Sequence, residues 1–192
     1  SYYLHAVTEY GYMLVEGLAF KRQSLLCLGK IFNDLGRSPV SVVVDGAELN
    51  SKHADLFYAN RRTTKDATAA GQQWMNSRVE RRHAVINQMT AASLRRAGAV
   101  TAFWWFCLHH MVFICNLLLL ARDPKTRQAL DKTVWEAHFG VRPNLRDYLI
   151  APWGCMCYLV LTPDQRQARG ADNAFGIRAI GGIYLGVVCN PR

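Results

Sequence analysis

The chain predicts an α/β fold: a mixed sheet with flanking helices, followed by a small β-rich C-terminal appendage. Three observations carry this. Short runs rich in β-branched and aromatic residues alternate with longer segments of helical periodicity over the first two thirds. Val40–Val44 is almost wholly apolar, which fits a central strand buried on both faces. After Ala151 the pattern changes to strand-like runs punctuated by Gly and Pro.

Tyr2–Val7 and Tyr12–Phe20 read as a hairpin, with Gly11 near its turn. In Ser24–Leu35, Leu25, Leu28, Ile31, Phe32 and Leu35 recur every three or four residues, so an amphipathic helix is expected, with Ser24 as its cap and Gly36 as its end. Val40–Val44 follows as a strand, and Asp45-Gly46 sits at its C-terminal end, where open α/β sheets place their sites. Ser51–Asn60 reads as a short helix, and residues 61–75 as a polar loop. Asn76–Ala97 reads as a long helix. Arg81, Gln88 and Arg95 make its polar stripe, opposite Val79, Ile86, Met89 and Ala92. A second long helix around Trp104 is expected to end at Asp123-Pro124, and a short one spans Thr133–Phe139. Strands are expected at Cys155–Leu161 and Gly182–Val188.

With 51% hydrophobic and 19% charged residues, the chain is globular rather than disordered. Its formal net charge of +9 is unevenly spread. Residues 1–60 carry five basic and six acidic side chains, residues 61–98 eight and two, and residues 122–192 ten and six. The positive field thus gathers along the 76–97 helix and in the last third, which suits a polyanion such as DNA or RNA. The six cysteines include no C-x-x-C pair and no zinc-finger spacing, so free thiols in a reducing intracellular compartment are expected. Val100–Leu120 is 21 residues without a formal charge, long enough for a bilayer. It also holds His109, His110 and Asn116, which are costly in lipid, so a buried core helix accounts for it as well.

Asp45 and Glu80 are the candidate chemistry. A carboxylate at a strand end and one on a following helix can converge on hard divalent cations, Mg²⁺ or Mn²⁺, over a phosphodiester. Arg78, Arg81 and Arg82 beside Glu80 would hold the phosphate backbone, with Asn76, Arg95 and Arg96 as further nucleic-acid contacts.

The motifs resemble the integrase core of copia-type retrotransposons, a branch of the retroviral-type integrases. Tyr2-Tyr-Leu-His-Ala-Val-Thr-Glu-Tyr10 is similar to that family's Y-F-x-x-x-x-D-D-F-S segment. Val44-Asp-Gly-Ala-Glu-Leu49 is similar to D-N-G-G-E-F with one residue missing, and Asn76-Ser-Arg-Val-Glu-Arg81 to N-G-x-x-E-R. The run Phe103 to Asn116 resembles F-W-x-x-A-x-x-x-A-x-x-x-x-N. Trp135 to Leu145 resembles P-x-E-x-x-x-G-x-K-P-x-L, Ala151 to Tyr158 resembles R-x-F-G-C-x-A-Y, and Ile183 to Gly186 resembles G-I-F-x-G. Between Asp45 and Glu80 lie 34 residues, one short of the family's interval, and the residue missing after Asp45 accounts for the difference.

The resemblance implies a ribonuclease H-like core over residues 1–122, a helical linker over 123–150 and an incomplete β-rich segment over 151–192. It implies that the Trp104 helix is a core helix and no membrane partner. It makes Asp45 and Glu80 the second and third members of a catalytic triad. It also implies DNA integration with Mg²⁺ or Mn²⁺, a homo-oligomer or larger assembly, and the nucleus. The family's first Asp precedes the segment matched by Tyr2–Val7, so no strand transfer is expected of this chain by itself. The alternative is a domesticated, catalytically dead descendant without a metal, a structural or RNA-binding subunit of a larger complex in the nucleus or an organelle.

Overall fold

The structure is a computed structural model that describes residues 2–36, 38–44, 48–67, 77–148, 150–168 and 178–187. Its elements in chain order are β1 (Tyr2–Val7), β2 (Met13–Leu18), α1 (Ser24–Asp34), β3 (Ser41–Val44), α2 (Lys52–Asn60) and β4 (Thr64–Ala67), followed by α3 (Ser77–Arg96), α4 (Trp104–Leu118), β5 (Leu120–Arg122), β6 (Ala129–Thr133), α5 (Val134–Phe139), β7 (Met156–Val160), α6 (Pro163–Gln167) and β8 (Ala179–Ile183). The molecule is mixed α/β. Among the described residues the strands form four two-stranded pairs rather than one mixed sheet: β1–β2, β5–β6 and β7–β8 antiparallel, β3–β4 parallel.

The β1–β2 hairpin is the centre of a layered core, and its period of two decides what each face meets. Leu4, Ala6 and Leu14 turn one way and pack on Leu28, Ile31 and Phe32 of α1, with Val44, Ala54 and Tyr58 behind them. Tyr3, Val7, Met13 and Val15 turn the other way, onto Ile86 of α3 and Leu108, Val112 and Cys115 of α4. Asn116 of α4 fastens the hairpin to this second layer. Its side-chain oxygen accepts from Met13 N at 2.9 Å and its amide donates to Met13 O at 2.8 Å, so it completes the backbone pairing of a strand edge from a helix.

The hairpin, α2, α3 and α5 occur where the sequence places them, within a residue or two at each end. Ser51 and Thr133 cap α2 and α5, accepting from Ala54 N and Glu136 N, and Thr133 forms a capping box with Glu136. Ser24 is not a cap. It lies inside α1, where its hydroxyl donates to Lys21 O, and Gln23 precedes the helix without a side-chain cap.

Four expectations are corrected. β3 is not buried on both faces: it pairs only with β4 among the described residues, and Val43 is exposed. The expected 61–75 loop contains β4, whose polar Thr-Lys-Asp-Ala composition suits an outer strand of a small sheet. The Trp104 helix stops at Leu118, because the chain turns extended at Leu119 to make β5, and Asp123-Pro124 lies in the β5–β6 turn. Among the described residues the last strand is Ala179–Ile183 rather than one beginning at Gly182, and the expected end at Val188 lies outside them.

Thr101–Leu118 is long and apolar enough to cross a membrane by composition, and 50% of that window is buried inside the fold. Cys107, Leu108, Met111 and Val112 are among its covered residues. Cys27, Cys107 and Cys115 are buried free thiols, and Cys155 and Cys157 are free and half-buried. Trp153 ties the C-terminal hairpin to α3 and α4: it is buried beside Leu94, Cys107 and Met111, and its indole N–H donates to Leu185 O at 3.0 Å.

Candidate nucleic-acid interface

Asp45 and Asn76 lie outside the described residues. Glu80 stands exposed in the first turn of α3, with Arg81 beside it donating from Nε to Ser77 O at 3.1 Å. Among the described residues no three His, Cys, Asp or Glu side chains come together. Glu80 is therefore the one described carboxylate of the expected pair, and the described side chains do not by themselves make a Mg²⁺ or Mn²⁺ site.

The candidate arginines divide between the two ends of α3. Arg78, Arg81 and Arg82 occupy its first turns, Arg95 and Arg96 its last, roughly 20–27 Å away along a straight helix. Arg96 reaches Trp153 O at 3.5 Å, on the side of the C-terminal hairpin.

At the first end, three chain segments meet. Gly11, in the β1–β2 turn, has φ +96, and a Cβ there would lie 3.3 Å from both the Arg82 guanidinium and Val134. The turn is braced by Thr8, whose N–H donates to Tyr12 O at 2.8 Å and whose carbonyl accepts from Gly11 N at 2.9 Å. Arg78 donates to the Glu9 carbonyl of this turn. From the β5–β6 hairpin, Arg122 donates to Arg127 O at 3.2 Å, and the Lys132 ammonium lies 5.7 Å from the centre of the Tyr10 ring. Gly11 thus lets the turn settle against α3 and the start of α5.

The electrostatics of this cluster are one-sided. Burial first, then the charges of Arg127 and Arg82, pull the Arg78 guanidinium below its ordinary value, with Glu9 opposing. Burial lowers Arg82 likewise; the neighbouring Cys115 opposes the fall and Arg122 adds to it. Each group lies within reach of another's charge, and both Arg78 and Arg82 are half-buried. Among the described residues none of Arg78, Arg82, Arg122 and Arg127 forms an ion pair; the described pairs are Lys30–Glu16, Lys65–Asp55 and Arg142–Glu136. Arg78 and Arg82 are half-buried, Arg122 and Arg127 are exposed, and Arg78 and Arg122 donate to backbone carbonyls, so a cluster of guanidiniums without ion pairs among the described residues has forked donors to offer an external anion.

Sequence reasoning found Arg78 and Arg82 but missed Arg122, Arg127 and Lys132. Their signal was the basic excess of residues 122–192, which carried no clue that the β5–β6 hairpin folds back beside α3.

No protein-family model matches the chain, and no curated protein matches it. Its fold is similar to that of a chain in the cryo-EM structure of the simian T-cell lymphotropic virus intasome in complex with the PP2A regulatory subunit B56 gamma. The TM-score is 0.54 at 14% identity, over 91% of this chain and 58% of that one. The chain thus spans little more than half the length of that structural neighbour.

Proposed function

We propose that the chain is an integrase-like nucleic-acid-binding domain of copia type, with a ribonuclease H-like ancestry, and that it holds polynucleotide phosphates at the N-terminal end of α3. The observation that carries this is the convergence of Arg78, Arg82, Arg122 and Arg127 from two elements, without an ion pair among the described residues. The ordered run of integrase-like motifs supports it, as does the fold shared with a chain of an intasome structure, an assembly that by its name joins several proteins. DNA or RNA and a multimeric assembly are accordingly the proposed partners.

In the complete integrase-like protein, Asp45 and Glu80 would supply oxygen ligands to Mg²⁺ or Mn²⁺ for DNA joining. The matched segments hold no counterpart of the family's first Asp. The isolated chain is therefore predicted to give no Mg²⁺-dependent joining of a labelled DNA end; joining that disappears in Asp45→Asn would contradict this.

Binding is tested by mobility shift. The Arg78→Gln, Arg82→Gln double variant is predicted to lose roughly tenfold or more in affinity, since a charge-assisted hydrogen bond contributes about 1.5–3 kcal/mol. Lys52→Gln, on the acidic side of the charge distribution, should leave binding unchanged. An unchanged double variant would refute the proposal.

A further inference from the structure

The basic face carries an aromatic side chain at its edge. Tyr10 projects from the same turn that receives Arg78 at Glu9 and rests against Arg82 at Gly11. Its ring is half-exposed, and Lys132 of β6 lies 5.7 Å from its centre. The turn holds Tyr10 in place through the Thr8–Gly11 and Thr8–Tyr12 hydrogen bonds at 2.9 and 2.8 Å. Next to it, Tyr12 is buried and stacked on His138 at 4.3 Å, so it packs the base of the turn and leaves Tyr10 as the outward ring.

An aromatic ring beside a row of guanidiniums is the arrangement that grips single strands. The cations follow the phosphates while the ring stacks on a base, and every base offers a π-face. In a duplex both faces of each base are already occupied by stacking, so the ring adds nothing there. Three acidic groups border the face: Glu80 stands exposed in the first turn of α3 between Arg78 and Arg82, and Glu9 and Asp123 flank it from the two turns. Glu9 lies close enough to Arg78 to be felt. Asp123 is engaged by its own turn, accepting from Lys125 N at 2.9 Å and Thr126 N at 2.7 Å, so it does not compete for the arginines.

We infer that this face takes single-stranded polynucleotide, with Tyr10 stacking on an unpaired base while Arg78, Arg82, Arg122 and Arg127 hold the flanking phosphates. The inference rests on the nucleic-acid reading above and adds the strand state of the ligand and the group that selects it.

The test is fluorescence anisotropy of the full chain with end-labelled single-stranded DNA, single-stranded RNA and duplex DNA of equal length, at one salt concentration. Wild-type chain should bind at least one of the single strands more tightly than the duplex. Tyr10→Ala should weaken single-strand binding by roughly 5- to 150-fold and leave duplex binding unchanged. Tyr10→Phe, which keeps the ring, should retain wild-type affinity, and a matching thermal unfolding curve shows that the turn is intact. Duplex bound as tightly as both single strands, or Tyr10→Ala without effect, would overturn the inference while leaving the arginine-dependent binding standing. If Arg78→Gln with Arg82→Gln weakens no form, the reading beneath falls as well.

Discussion

The imidazole of His5 faces α3 from β1 with both ring nitrogens buried and without a hydrogen-bond partner. Burial, then the charges of His83 and Arg82, lower its pKa to about 4, from an ordinary value near 6.5. The folded state therefore binds fewer protons than the unfolded chain between these values, and stability falls as pH drops from about 6.5 to 4. Urea titrations at pH 7 and pH 4.5 should show a stability loss in wild type that is smaller in His5→Phe; an equal loss in both would assign it to another group. Asn116 gives a second prediction at this scale. Asn116→Ala leaves Met13 N–H and C=O unpaired in the core, so chemical unfolding should show a loss of about 2–4 kcal/mol. The hairpin of β1 and β2, which sets Tyr3, His5 and Val7 on one face, was legible in the sequence. That α3 covers this face was not, because the contacts His5–His83 and Tyr3–Asn87 join residues some 80 positions apart.

Elements with a strong local period and their own stop signals were readable. α1 stops at Asp34, just before Gly36, which adopts φ +68, and α3 carries Arg81, Gln88 and Arg95 as an exposed stripe. Elements defined by a distant partner were not. β4 is polar and becomes a strand only through its parallel register with β3, Ser41 opposite Thr64 to Val44 opposite Ala67. β5 looked like the end of a helix because Leu117–Leu120 is uniformly apolar, and only its pairing with β6 makes it extended. One element junction depends on the lack of a side chain. Gly154 has φ +77, and a Cβ there would overlap Ala97 at the end of α3. Gly154→Ala should therefore cost about 2 kcal/mol or more and lower the melting temperature, and Ala97→Gly should restore part of the loss. A fully stable Gly154→Ala variant would show that the two elements separate without cost.

For the whole molecule, the charge distribution pointed to a polyanion and the motif order pointed to an integrase-like chain, whereas the site itself was only half visible. The sequence located Glu80 and the arginines of α3. The meeting of those arginines with Arg122, Arg127 and Tyr10 is a product of the fold, through the glycine at position 11 and the return of the β5–β6 hairpin. The central claim is that this meeting makes a phosphate-binding face. The most direct measurement is the salt dependence of polynucleotide binding, comparing wild type with a chain carrying Gln at positions 78, 82, 122 and 127. If each arginine neutralises one phosphate, log Kobs against log salt should flatten by roughly 3 in slope for single strands, about 0.7 for each phosphate left without its arginine. An unchanged slope, with the variant folded, would contradict the account.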